Sequence, residues 1–346
     1  PGPSAAPTVA SPITGEPVKL FSRQWFSGVL LRYSMVIVVL LVIAYFSYRS
    51  ARFSTPDNLV TILVAAAPFA LIALGQTLVI LTGGIDLSVG SVIAVSAMSA
   101  AATAKANPGQ VWLTVLVALL VGLAVGCVNG FLVSRINVPP FIATLGTLTA
   151  GSGLAYVIGG GAPINGLPAE FGSIANTKIL GLQIPVLLMI VGIIALAIIM
   201  KRTTYGMRVY AVGGNRNAAE IAGINAKNVL FSVYAISGLL AGLSGVMLAS
   251  RVISGPPNLG QGYELDAIAA VVIGGASLMG RPRQHLGHGT GPVHDHDAEQ
   301  RSRHPRRARV LAGRHQGRAD RRRGRGRCVV LQEAHLKAQR QPSHQC

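Results

Sequence analysis

What most constrains this chain is a succession of apolar runs, each long enough to cross a lipid bilayer. Crossing roughly 30 Å of hydrocarbon takes about 20 mostly apolar residues wound as a helix, because irregular backbone finds no hydrogen-bond partner in lipid. Such runs lie at about 30–48, 58–81, 87–104, 111–133, 140–158, 184–200 and 229–249, with a shorter one at 265–279. The expected fold is therefore all-α, a polytopic transmembrane helical bundle with about eight spans in residues 30–280. Composition agrees: 51% of the 346 residues are hydrophobic and only 12% charged, a balance too apolar for a soluble globular domain of this size.

Charge is unevenly spread. Residues 1–280 hold 14 of the 30 Lys and Arg and 7 of the 12 Asp and Glu, whereas 281–346 hold 16 and 5, together with all 8 His. The net charge of +18 thus belongs largely to the tail and says little about what the rest of the chain binds. PGPSAAPTVASPITGEPVKL, residues 1–20, lacks apolar periodicity and reads as a flexible leader, residues 1–29, outside the membrane. No small-residue cleavage site follows the apolar run after Arg32, so a cleavable signal is not expected.

Lysine and arginine placement orients the spans. Lys19, Arg23 and Arg32 put the N-terminus in the cytoplasm, and six spans later the segment after Met200, with Lys201, Arg202, Arg208, Arg216 and Lys227, returns there. The loop 159–183 carries only Lys178 and Glu170 and falls outside; Arg49 and Arg52 run against the rule. Cys127 lies in an apolar run and Cys328 and Cys346 in the tail, which makes neither a disulfide framework nor a CxxC metal pattern.

Three stretches draw functional attention. In LTGGIDLSVGS, 81–91, Gly83 and Gly84 break one apolar run and Asp86 stands before the next, with Ser88 and Ser91 behind it. One reading makes Asp86 a cap on the following helix; the other makes this a broken helix whose backbone and acid line a polar path. GYELDAIAAVVIGGASLM, 262–279, resembles it loosely, so Asp266 answers to Asp86 either as the mark of two related halves or by chance between Ala- and Val-rich segments. NRNAAEIAGINAKNV, 215–229, holds a short helix pattern through Ala218, Ala219, Ile221 and Ala222, stopped by Gly223. It is either a surface turn or a knob for a partner's groove. The sequence contains no phosphate-binding G-x-x-x-x-G-K-[ST] loop, and residues 1–280 have no His, so a His-containing metal or catalytic set is not expected there and neither is an enzyme.

LTGGIDLSVGSVIAVSAM, NGFLVSRINVPPFIATLGT, YAVGGNRNAAEIAGI and LDAIAAVVIGGASLMG, in that order, resemble the permease subunit of bacterial ABC importers of the ribose type, which also serve xylose, arabinose and galactose. The resemblance spans roughly residues 30–280. It implies a permease homodimer in the bacterial inner membrane, fed by a periplasmic sugar-binding protein and driven by a separate cytoplasmic ATPase subunit. That subunit binds the ATP, so no cofactor is expected in this chain. The loop around Asn217 becomes the coupling helix, with Arg208, Asn215, Arg216, Glu220 and Gly223 facing the ATPase. Gly83, Gly84 and Asp86 would shape the substrate path. Asn129, Thr144, Thr147 and Asp266 are polar groups in apolar spans that either meet sugar hydroxyls or join helices.

The tail departs from that family, whose members continue with more membrane helix and a Leu-Asn-Asn-Gly stretch. His294-Asp295-His296-Asp297-Ala298-Glu299-Gln300-Arg301, back-translated and read from the second base, gives AYG AYC AYG AYG CNG ARC ARC, which permits Met-Ile-Met-Met-Leu-Asn-Asn. RVLAGRHQG, 309–317, likewise permits apolar membrane text. A one-base frameshift at about codons 280–281 accounts for both, and residues 281–346 are then expected to be a disordered basic tail. The rival is a tail that binds nucleic acid or anionic lipid, for which RADRRRGRGR suits phosphate, although no aromatic residue follows Tyr263 to stack on bases. A nearer alternative keeps the permease architecture and changes the cargo to a nucleoside or another small polar solute.

Overall fold

Each apolar run folds as a helix, and the helix ends fall where the sequence changes character. The computed structural model describes residues 8–10, 17–19 and 23–274; the tail from 281 and the end of the expected 265–279 span lie outside them. The helices are α1 (Arg23–Arg49), α2 (Pro56–Leu81), α3 (Val89–Ala106), α4 (Val111–Ser134), α5 (Pro140–Ile158), α6 (Ser173–Asn176), α7 (Ile184–Arg202), α8 (Thr204–Gly214), α9 (Arg216–Ile221), α10 (Ala226–Val252) and α11 (Tyr263–Ile273). Proline opens α2, α5 and α7 within the first two positions, where its missing N–H leaves no hydrogen bond unmade.

Among the described residues six helices are long and apolar enough to cross a membrane: α2, α3, α4, α5, α7 and α10. The helix α1 contains the expected 30–48 run, and α11 begins the expected 265–279 run, whose end lies outside the described residues. Within the leader, β1 (Thr8–Ala10) pairs antiparallel with β2 (Pro17–Lys19), Thr8 opposite Lys19. Strands of three residues are too short for an alternation that sequence can register.

At the centre stands α10, packed against α4, α2 and α3. Its contact with α4 is backbone to backbone: a Cβ on Gly126 would lie 2.5 Å from the Tyr234 carbonyl, and one on Gly238 would lie 2.4 Å from the Gly122 carbonyl. Small residues are what let transmembrane helices approach this closely. Ser244 of α10 also donates to the Pro68 carbonyl of α2 at 3.0 Å. Beside them α3 is buried through Ala94, Ala97, Ala100 and Ala101. The outward residues, Leu120 and Val128 on α4 and Val191, Ile194 and Ile198 on α7, are apolar and exposed, the surface that hydrocarbon solvates.

The 159–183 loop has structure of its own. A 3-10 turn, Ala169–Gly172, leads into α6, and β3 (Lys178–Ile179) pairs with β4 (Leu182–Gln183). Ser250 at the end of α10 donates to the Phe171 carbonyl at 2.7 Å and accepts the Ala175 N–H at 3.0 Å, which fastens the loop to the core.

Candidate functional site

The break between α2 and α3 is where chemistry concentrates. As α2 ends, the N–H groups of Thr82, Gly83 and Gly84 bond back to the carbonyls of Val79 and Ile80 at 2.9–3.1 Å. Gly83 takes the left-handed region, φ 79°. Gly84 passes beneath Tyr234, whose hydroxyl lies 2.5 Å from where a Cβ would stand, so any larger residue there would have to displace the tyrosine ring. Two residues later Asp86 is 2% exposed.

The buried carboxylate is met by three donors. Its Oδ1 accepts the Ser88 N–H at 2.9 Å and the Ser88 hydroxyl at 2.6 Å, and its Oδ2 accepts the Ser237 hydroxyl of α10 at 3.0 Å. Ser88 in turn accepts Asn129 Nδ2 of α4 at 2.7 Å, and Asn129 Oδ1 accepts the Thr147 hydroxyl of α5 at 2.8 Å. Donors therefore run from Thr147 through Asn129 and Ser88 to Asp86, joining α5, α4, the α2–α3 turn and α10. Nearby, the Thr144 hydroxyl lies 3.3 Å from the Ile85 carbonyl and the Ser91 hydroxyl 3.3 Å from the Thr147 carbonyl, although each has a shorter acceptor at 2.9 Å in its own segment, the Pro140 and Ser88 carbonyls. Asp86 thus closes a local turn on Ser88 rather than capping the first N–H groups within α3, whose N-cap position is Ser88.

Asp266 takes no part in this cluster. It stands exposed in the first turn of α11, whose buried face is Ala267 and Val271. The two acids that answer one another in sequence therefore occupy different environments.

The expected α9 surface is a capped helix. Asn215 Oδ1 accepts the Ala218 N–H at 3.0 Å, and at the far end Gly223, φ 83°, sends its N–H to Glu220 O while Ile224 N–H bonds Ala219 O at 2.9 Å. This paired closure is the glycine stop expected of the sequence. Arg216 spans Glu220 Oε1 at 3.2 Å and Asn137 Oδ1 at 3.3 Å. Arg208, Asn217, Glu220 and Gly223 are exposed, as is Ile221 at 88%. A cleft of about 190 Å³ lies between the 82–84 turn, Asn137, Val212, Arg216 and Tyr234.

Sequence reading missed Ser237, Tyr234 and Asn137. Ser237 is 151 residues from Asp86, and nothing local pairs them. Its only signal is that a hydroxyl stands in an apolar helix. Among the described residues no group of three His, Cys, Asp or Glu is placed to hold a metal ion. The cluster's chemistry is that of hydrogen bonding between helices.

The family described as "Branched-chain amino acid transport system / permease component" matches residues 58–286. The chain is 38% identical over 260 residues to a ribose import permease protein of Bacillus subtilis (strain 168), covering 75% of this chain and 80% of that protein. It is 41% identical over 279 residues to a fructose import permease protein of Bifidobacterium longum (strain NCC 2705), covering 76% and 78%. It is 34% identical over 250 residues to a D-allose transport system permease protein of Escherichia coli (strain K12), covering 72% and 77%. No solved structure matches it.

Proposed function

We propose, from the premise that this chain belongs to the family of branched-chain amino acid transport system permease components, that it is the membrane-spanning subunit of an ABC importer carrying a monosaccharide. It is a multi-pass membrane permease and not an enzyme. The observation that carries the sugar is the similarity to permeases named for ribose, fructose and allose over about three quarters of the chain. In this reading the partners are a second copy of the chain, a cytoplasmic ATPase subunit that binds the ATP and a periplasmic sugar-binding protein. The N-terminus is cytoplasmic, as is the α8–α9 surface, where Arg208, Asn217, Glu220 and Gly223 meet the ATPase and Asn215 and Arg216 hold α9 in shape.

The mechanism is alternating access, with sugar moving along a polar seam between helices. Asp86, Asn129 and Thr147 already have partners within the protein at 2.6–3.0 Å, which favours a part in setting helix positions along the path over direct contact with sugar hydroxyls. Gly83 and Gly84 shape the turn that carries Asp86, and the Thr144 hydroxyl of α5 lies beside it. Asp266 stands exposed on α11, apart from this cluster.

Transport decides the reading. The chain is reconstituted in proteoliposomes with its ATPase and binding protein, and uptake of radiolabelled monosaccharides is followed with and without ATP. ATP-dependent uptake competed by one unlabelled pentose or hexose is expected. Uptake competed by nucleosides and by no sugar would move the assignment to a nucleoside permease.

A further inference from the structure

We propose that the close approach of α8 to the end of α2 at Gly213 is the joint that delivers movement of the α8–α9 surface to the buried Asp86 cluster. The inference rests on reading α9 as the helix that meets the ATPase, and it assigns Gly213 a positioning role that acts through Leu81 and Thr82.

The contact is bare backbone. A Cβ on Gly213 would lie 1.8 Å from the Leu81 carbonyl oxygen, 2.9 Å from its carbon and 3.2 Å from the Thr82 Cα. No side chain lies between the two segments, so no rotamer change can absorb a displacement of one against the other. On the α8 side the input is stiff. Asn215 ends α8 and starts α9 at once, its N–H bonding the Ala211 carbonyl at 3.1 Å and its side chain accepting the Ala218 N–H at 3.0 Å. Val209, Val212 and Ala219 pack in one buried cluster with Leu78 and Leu81, so α8, α9 and the end of α2 share a core.

On the output side the path is short. Thr82, Gly83 and Gly84 are bonded to the last turn of α2, and Asp86 follows two residues later with its bonds to Ser88 and Ser237. A push on Leu81 therefore reaches a turn whose next anchor is the buried carboxylate. The adjacent glycine supplies a built-in contrast: a Cβ on Gly214 meets nothing within 4 Å.

The test is the matched pair Gly213→Ala and Gly214→Ala in the full chain, which add the same methyl group one residue apart. Two quantities are measured: amide hydrogen exchange over 82–88 in detergent, and sugar moved per ATP hydrolysed with the ATPase and binding protein present. Gly213→Ala is expected to speed exchange over 82–88 and to lower the transport ratio severalfold, with Gly214→Ala matching wild type in both. A purely structural role for Gly213 would lower the amount of folded protein and leave the ratio unchanged, and that result overturns the proposal. Equal exchange over 82–88 in the two variants also overturns it. Should Gly213→Ala fail to accumulate, Val209→Ala loosens the same joint from the α8 side; an unchanged ratio there removes the idea. If the wild-type chain shows no ATP-dependent sugar uptake, the permease reading fails by itself, while the exchange comparison still decides whether α8 is mechanically linked to the cluster.

Discussion

At Asp86 a carboxylate that is almost entirely buried meets no ion pair among the described residues and is held instead by the Ser88 N–H and two serine hydroxyls. Removing the acceptor strands its donors, and an unsatisfied buried polar group costs about 1–3 kcal/mol. Asp86→Ala is therefore expected to lower the thermal midpoint of the detergent-solubilised chain by several degrees. Asp86→Asn keeps one acceptor oxygen but turns an NH2 group toward a donor, so an intermediate loss is expected in the same thermal unfolding measurement. Equal losses for the two variants would mean that the charge, and not the hydrogen-bond count, holds the turn. The acid and its Gly-Gly turn are legible in sequence as a break between apolar runs. Ser237 is not, because its partner is 151 residues away and only the packing of α10 brings them together.

Among the elements, α4 and α10 show how small residues decide which helices meet. Gly126 lies on the Gly238 and Ala235 backbone, 3.0 and 3.1 Å from those Cα atoms for an added Cβ, whereas a Cβ on Gly146 of α5 meets nothing within 4 Å. Inserting bulk into a packed contact costs about 1–3 kcal/mol, and bulk at an open surface costs within about 0.5 kcal/mol. Gly126→Leu is expected to destabilise the chain and Gly146→Leu to leave it nearly unchanged, compared by the denaturant midpoint of unfolding in micelles. A Gly146→Leu loss as large as that of Gly126→Leu would refute the account. Helix limits were largely legible: α5 spans 140–158 as its apolar run does, and Gly223 closes α9 where a glycine after a short helical pattern is expected. The pairing of α4 with α10 was not legible, since glycines recur at 122, 126 and 130 on one helix and at 238, 242 and 245 on the other, and nothing in either run names its partner.

For the whole molecule, the family match runs from residue 58 through residue 286. We propose that residues 281–346 are out-of-frame translation: AYG encodes only Met or Thr and ARC only Asn or Ser, so the second-base reading of 294–301 leaves little freedom to imitate membrane text. Sequencing the gene across codons 275–285 from its source is expected to show one base gained or lost there. An intact reading frame would make the basic tail genuine and would return nucleic acid or anionic lipid to consideration as a partner. By itself the sequence determined the class of fold, because lipid forces every long apolar run into a helix whatever its neighbours. It also determined the turns at Gly83 and Gly223, because those depend on backbone geometry that few residues can adopt. Only the tertiary structure decided that Asp86 is enclosed by three donors while Asp266 stands exposed, and that Gly213 rests on Leu81. These are contacts between segments far apart in the chain, set by which helix faces can approach, and no local pattern encodes them.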